Sequence, residues 1–184
     1  MQTDYLDILQ FHFSPAKEVL VHEGAIETLY DLQRAGKIRF LGCSSILPHL
    51  TEHIAMGVFD VLQIPYSALQ PEHEAAIAEA ARAGAGIVIR GGVARGEPGA
   101  GQGSADVWKL WEHAQMDELL QGMSATEFML RFTITNSDIH TAIVGTLNPA
   151  HLHENIAAVL QGPLPASVYN EAKRRLAVVR ATPA

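Results

Sequence analysis

His12, Ser44, Ser45, Gln63, Arg90 and the run Gly145–Asn148 are the residues whose types and placement suit chemistry. They supply an imidazole, three hydroxyls, two amides and a guanidinium, a set rich in hydrogen-bonding groups. Nucleophile–base pairs, which covalent catalysis needs, are scarce among them. Such a set suits the holding and orienting of a polar ligand. Asn148–Pro149 adds an N-cap and a first-turn proline. A helix start of that kind offers unpaired amides and the positive end of a dipole, and Gly145 permits close backbone approach. This segment fits either a phosphate site or an ordinary strand-to-helix turn.

The elements that position these residues can be read from the apolar pattern. Tyr5–Phe13, Ile38–Ser44, Val58–Ile64, Gly86–Arg90 and Ile139–Val144 are short runs of Ile, Val, Leu and Phe. Near-continuous apolar runs suit strands covered on both faces, as in parallel sheets. Between them the spacing turns helical. Ile26, Leu29, Tyr30 and Gln33 make a stripe that Gly36 ends, Pro48 opens a helix through Leu50 and Ile54, and Pro71 opens one through Ile77. "DVWKLWEHAQMDELL" is an additional helix, and Ser124 with Glu127 makes a capping box before the next. Asn148–Pro149 begins the helix of Leu152, Ile156 and Leu160, and Pro165 to about Val179 forms the last. Strand–helix alternation five times over gives an α/β parallel sheet, in which ligands bind beyond the carboxyl ends of the strands. His12, Ser44, Ser45, Gln63, Tyr66, Arg90, Gly91 and Gly145–Asn148 all fall at those ends.

Composition narrows the class. The 184 residues fit one domain over 1–184, and the 48% hydrophobic and 18% charged content is that of a globular protein. The net charge of −7 argues against nucleic-acid binding, and no apolar run is long enough to span a bilayer. Cys43 is the single cysteine, so no internal disulfide forms and a cytoplasmic location is expected. Cys43 reads as a packing residue inside its strand. His151 and His153, two apart on a helix, face different ways and do not make a metal site.

"TDYLDILQFH", "GKIRFLGCSS", "DVLQIPYSAL" and "AIVGTLNPAHLHENIAA" resemble, in order and spacing, the second part of the aldo-keto reductases. The resemblance implies a (β/α)8 TIM-barrel type fold, here a partial barrel of about five parallel strands with surrounding helices. It also implies reversible hydride transfer between NADP or NAD and a small-molecule carbonyl substrate. His12 matches the histidine that orients the substrate carbonyl. Ser44 and Gln63 match residues that bind the nicotinamide carboxamide, and Ser45 stands where the family usually has Asn. Arg90, followed by Gly91, stands where many members place an aromatic residue against the nicotinamide ring. In the segment Gly145–Asn155, Glu154 and Asn155 match the adenine contacts, and Thr146 and Asn148 the 2′-phosphate neighbourhood. The basic residues that often neutralise that phosphate are replaced by Gly145, Leu147 and His151, so the NADP or NAD preference stays open. The glycine-rich stretch 91–103 fits a cover over the pyrophosphate or a mobile lid.

The family's proton-donating Tyr, with the Asp and Lys that tune it, precedes the strand carrying His12, and only four residues precede Tyr5. The sequence therefore reads as a barrel truncated before that strand, with catalysis impaired. Self-association through open, apolar sheet edges is expected. A non-catalytic nucleotide-binding remnant is the alternative.

Overall fold

The computed structural model describes residues 2–99 and 101–181. Among them the strands β1 (Leu6–Phe11), β2 (Ile38–Ser44), β3 (Val61–Pro65), β4 (Gly86–Arg90) and β5 (Thr141–Ala142) form one sheet in chain order. The helices are α1 (Lys17–His22), α2 (Ala25–Arg34), α3 (His49–Met56), α4 (Glu74–Arg82), α5 (Ala105–His113), α6 (Ala125–Thr135), α7 (Pro149–Leu160) and α8 (Ala166–Ala181). The chain gathers into two compact units, one of Met1–Ile64 with His73–Val88 and one of Pro65–Glu72 with Ile89–Ala184.

Glycine placement sets the strand starts in the first unit. Helix α2 buries Ile26 and Leu29 and stops where Gly36 takes φ +70°. There the Gly36 N–H bonds to the Gln33 carbonyl and the Lys37 N–H to that of Leu32. This closure needs a left-handed residue, which glycine adopts without the clash a Cβ brings. Helix α4 closes the same way at Gly84, with φ +89° and Ala85 N–H bonded to Ala80. Each closure feeds directly into a strand, β2 and β4 respectively.

Strands β1, β2 and β3 run parallel, with Phe11 beside Cys43, Cys43 beside Leu62, and Ser44 beside Gln63. Side chains alternate between faces. One face puts Leu41, Cys43, Leu62 and Ile64 into a core with Leu20, Ile26, Leu29, Leu50 and Ile77. Truncating one of these leucines to Ala costs about 2–5 kcal/mol. The other face carries Ile8, Gln10, Phe40, Gly42, Ser44, Val61 and Gln63. It is more open, with Ile8 43% and Phe40 41% exposed.

In the second unit α6 is the central helix, burying Phe128, Met129, Leu130, Phe132 and Thr133. Ser124 caps it by accepting the Glu127 N–H at 3.1 Å, as the capping-box pattern predicts. Trp108 and Trp111 are buried, and Trp111 meets Phe128 edge-on at 5.5 Å, so both act as packing residues. Arg175 of α8 is drawn out of solvent by Glu171, Glu118 and the Gln115 carbonyl. Among the described residues no helix is long and apolar enough to cross a membrane.

Several element boundaries differ from the sequence reading. The first strand stops at Phe11, because His12 and Phe13 bend away. The third begins at Val61, after Asp60 has accepted the Leu41 N–H with its carboxylate at 2.8 Å. The last keeps only Thr141–Ala142, followed by one bond from Ile143 N–H to the Ile89 carbonyl. The extra helix breaks after His113 and resumes as a 3₁₀ turn at Met116–Leu119. Helix α1 is an addition to the expected elements.

Candidate functional site

The residues named from the sequence fall into one constellation in each unit. In the first, Ser44 stands in register beside Gln63, and His12 follows Phe11, the last paired residue of β1, which stands beside Cys43. His12 is exposed just beyond β1, its ring stacked on Phe13 at 5.2 Å. Ser44 is buried and accepts a hydrogen bond from Gln63 Nε2 at 3.3 Å. Gln63 Oε1 in turn accepts from Gln10 Nε2 at 3.4 Å. The result is a chain Gln10–Gln63–Ser44 running across three strand ends.

Gln10 belongs to this chain of hydrogen bonds, although the sequence reading did not single it out. It reaches Gln63 across β2 because Gly42, its register partner, has no side chain in the way. Two cues lie in the sequence: Gln10 shares a strand face with His12, and a glycine stands on that face of the neighbouring strand. The chain fixes the Gln63 amide with its oxygen towards Gln10 and its NH₂ towards Ser44. It leaves the Ser44 O–H as a donor and one lone pair on Gln63 Oε1 as an acceptor.

Ser45 does not join that row. The twofold alternation of the strand turns it to the opposite face, fully buried, where its hydroxyl lies 2.7 Å from His53 Nδ1. Its backbone stays close to the row, since the Ser45 N–H bonds to the Gln63 carbonyl at 2.9 Å. His53 is buried too, and its Nε2 donates to the Pro15 carbonyl at 2.8 Å. Desolvation is the largest influence on this imidazole and holds its pKa below the ordinary value, with His49 adding to the effect. The Pro15 bond and Glu52 oppose it. Burial pushes the Cys43 thiol up to about 12, so it stays protonated, as a packing residue should.

In the second unit Arg90 ends β4 half-buried, its carbonyl accepting the Tyr66 N–H at 3.3 Å. Gly91 follows at φ +72°. Tyr66 is 1% exposed, with Phe132 stacked on its ring at 6.4 Å. The segment from Gly145 is largely exposed. Thr146 Oγ accepts the Asn148 N–H at 3.1 Å, and Asn148 Oδ1 caps α7 by accepting the Ala150 N–H at 3.0 Å. Pro149 has no N–H, so the first two amides of α7 are already accounted for. His151 and Glu154 project from the first turns of α7, exposed, and Asn155 is half-buried. Among the described residues no group of three His, Cys, Asp or Glu could hold a metal.

The first constellation lies within the segment, residues 1–97, matched by the Aldo/keto reductase family model. The chain belongs to the Aldo/keto reductase family. Aldo-keto reductase AFTS1 of Alternaria alternata is 33% identical over 105 residues, which is 52% of this chain and 28% of that protein. The uncharacterized oxidoreductase YqkF of Bacillus subtilis strain 168 is 25% identical over 173 residues, 86% of this chain and 56% of its own. The solved aldo-keto reductase AKR11C1 of Bacillus halodurans, in its holo form, superposes with a TM-score of 0.81 at 25% identity. That match covers 95% of this chain and 60% of the other. Aldose reductase from Giardia lamblia shares the fold with a TM-score of 0.69 at 16% identity, over 94% of this chain and 62% of its own. The chain thus spans less than two thirds of each of these relatives.

Proposed function

We propose that this chain carries the cofactor-binding strand ends of a nicotinamide-dependent carbonyl reductase. The observation that carries the reading is the hydrogen-bonded, in-register pair of Ser44 and Gln63 on neighbouring strands, with His12 directly after the end of the third, β1. A primary carboxamide needs one acceptor for its NH₂ and one donor for its oxygen. The Gln63 Oε1 lone pair and the Ser44 hydroxyl, 3.3 Å from Gln63 Nε2, offer that pair, so the residues fit the nicotinamide end of NADP or NAD. When bound, the cofactor supplies the hydride. His12 points its imidazole at the substrate carbonyl oxygen and orients it by a ring N–H. Arg90 lies against the nicotinamide ring, and Gly91 lets the backbone pass close by.

The adenosine end falls to Gly145–Asn155, with Glu154 and Asn155 on the adenine. Thr146 and Asn148 are already bonded to the backbone around them, and no Lys or Arg stands among Gly145, Leu147 and His151. The 2′-phosphate of NADP would find little countercharge there, which favours weak discrimination between NADP and NAD.

A second reading, binding without turnover, is supported by Tyr66. Tyr66 follows β3 and is 1% exposed, and that burial hinders it from donating the proton that a new alkoxide requires. Fluorescence titration with NADPH alongside a turnover assay on simple aldehydes separates the readings. Binding with turnover supports the reductase and binding alone supports the second reading. Absence of binding contradicts both.

A further inference from the structure

Three consecutive residues directly after His12 are tied to β2, to the loop that follows it and to α3. The Phe13 carbonyl accepts the Cys43 S–H at 3.8 Å. Ser14 Oγ accepts the Ile46 N–H at 3.2 Å and donates to the Ile46 carbonyl at 3.3 Å. The Pro15 carbonyl accepts from His53 Nε2 at 2.8 Å. Because a carbonyl only accepts, Nε2 carries the ring proton, and in the neutral imidazole Nδ1 must accept from Ser45 O–H. Cys43 Sγ also lies 3.7 Å from that Nδ1, and Phe59 meets the ring edge-on at 5.4 Å. Two of the three ties thus end in one buried cluster, with both nitrogens of His53 engaged.

We propose that His53 is a positioning residue, an Nε2–H imidazole that clamps the segment 13–15 to the end of β2 and so fixes where His12 stands as the chain leaves β1. The functional consequence rests on the reading of His12 as the substrate-orienting residue; the clamp itself does not. Between the last β1–β2 pair at Phe11 and the tie at Phe13, His12 has one unanchored residue's worth of freedom. Without the clamp, the exit from β1 hangs on Ser14 and the Cys43 thiol alone, the latter a weak donor. Removing a hydrogen-bonding group from a buried cluster leaves its partners unsatisfied, here the Pro15 carbonyl and the Ser45 hydroxyl.

The test uses the complete chain. Long-range ¹H–¹⁵N correlation of the wild-type ring nitrogens should show His53 in the Nε2–H form, and an Nδ1–H form would overturn the proposal. Chymotrypsin cuts after Phe13, a residue 80% exposed, once the segment around it loosens. His53→Phe, which fills the space without either bond, should speed cleavage at Phe13 about tenfold, the size of one buried hydrogen bond lost. It should also shift the His12 ring resonances. His53→Gln, whose amide can still donate to Pro15, should return both towards wild type. Ser14→Ala, a gentler change should His53→Phe fail to fold, is expected to speed cleavage about threefold by the same reasoning. Unchanged cleavage and unchanged His12 resonances in the variants would overturn the clamp. NADPH titration of the wild type runs in parallel: its failure would remove the reductase reading while leaving the clamp measurements decisive.

Discussion

The Cβ that Gly42 lacks would stand 2.8 Å from the Cβ of Gln10, closer than real side chains approach. The same atom would lie 3.1 Å from Ile8 Cγ2 and 3.4 Å from the Val61 carbonyl oxygen. The missing side chain is therefore what lets Gln10 lean across β2 to Gln63. Gly42→Ala is expected to push Gln10 away and break the chain to Ser44. Overpacking of this kind costs about 1–3 kcal/mol. Thermal melts should show that loss, and Gln10→Ala introduced into Gly42→Ala should not restore it, because a Cβ remains at position 10.

His53 sets a pH dependence on stability. Its folded pKa is held below the unfolded value of 6.5, so between the two the unfolded chain binds more protons. The contribution is full above about 6.5 and is lost as pH falls towards the folded value. The groups around the ring are Ser45, Cys43, the Pro15 carbonyl and Phe59, with His49 and Glu52 on its own helix. Urea midpoints measured across this range should fall on acidification. The His53→Phe protein should show a shallower fall.

Arg90 puts a cation where the nicotinamide ring is proposed to lie. The ring gains positive charge on oxidation, so a neighbouring guanidinium favours the reduced cofactor. Arg90→Tyr is therefore expected to lower the ratio of NADPH affinity to NADP⁺ affinity, measured by paired fluorescence titrations. A factor of about 5 corresponds to one screened charge contact of ~1 kcal/mol.

Each unit also exposes apolar surface. Among the described residues strand β1 stands at the edge of the sheet and pairs with β2, beside exposed Tyr5, Ile8 and Phe40. In the second unit Leu147 lies fully exposed ahead of exposed Leu152, Ile156, Val159 and Leu160 on α7. Unpaired edges and contiguous apolar patches promote association. Sedimentation velocity on the chain by itself should show a weight-average mass that rises with concentration. Asp substituted for Ile8 and for Ile156 should reduce the rise.

Much of the sheet was legible in the sequence because each strand is an apolar run bounded by glycine, proline or polar residues. β2 and β4 match their expected bounds, since Gly36 and Gly84 close the helices immediately before them. The edge strands were overestimated: apolarity marks Phe13, Ile143 and Val144, but a ladder forms only where a partner backbone is in register. Helix α1 was missed because it buries only Leu20 among Lys17, Glu18 and His22, leaving no stripe to read. Gln10 and His53 were missed for a different reason. Their roles depend on contacts across strands and loops, with a glycine in one case and a proline carbonyl in the other, and no local spacing encodes such contacts. Ser45 was named for its place at the strand end and its match to the family's Asn; that it faces His53 rather than Gln63 depends on a contact with α3 that the strand pattern does not encode.

The most direct test follows the side-chain amides of Gln10 and Gln63 by ¹H–¹⁵N correlation while NADPH is added. The account predicts that both shift, saturating with one common Kd, and that Ser44→Ala weakens that Kd. Amides that stay still under saturating NADPH, or that respond with two unrelated affinities, would contradict it.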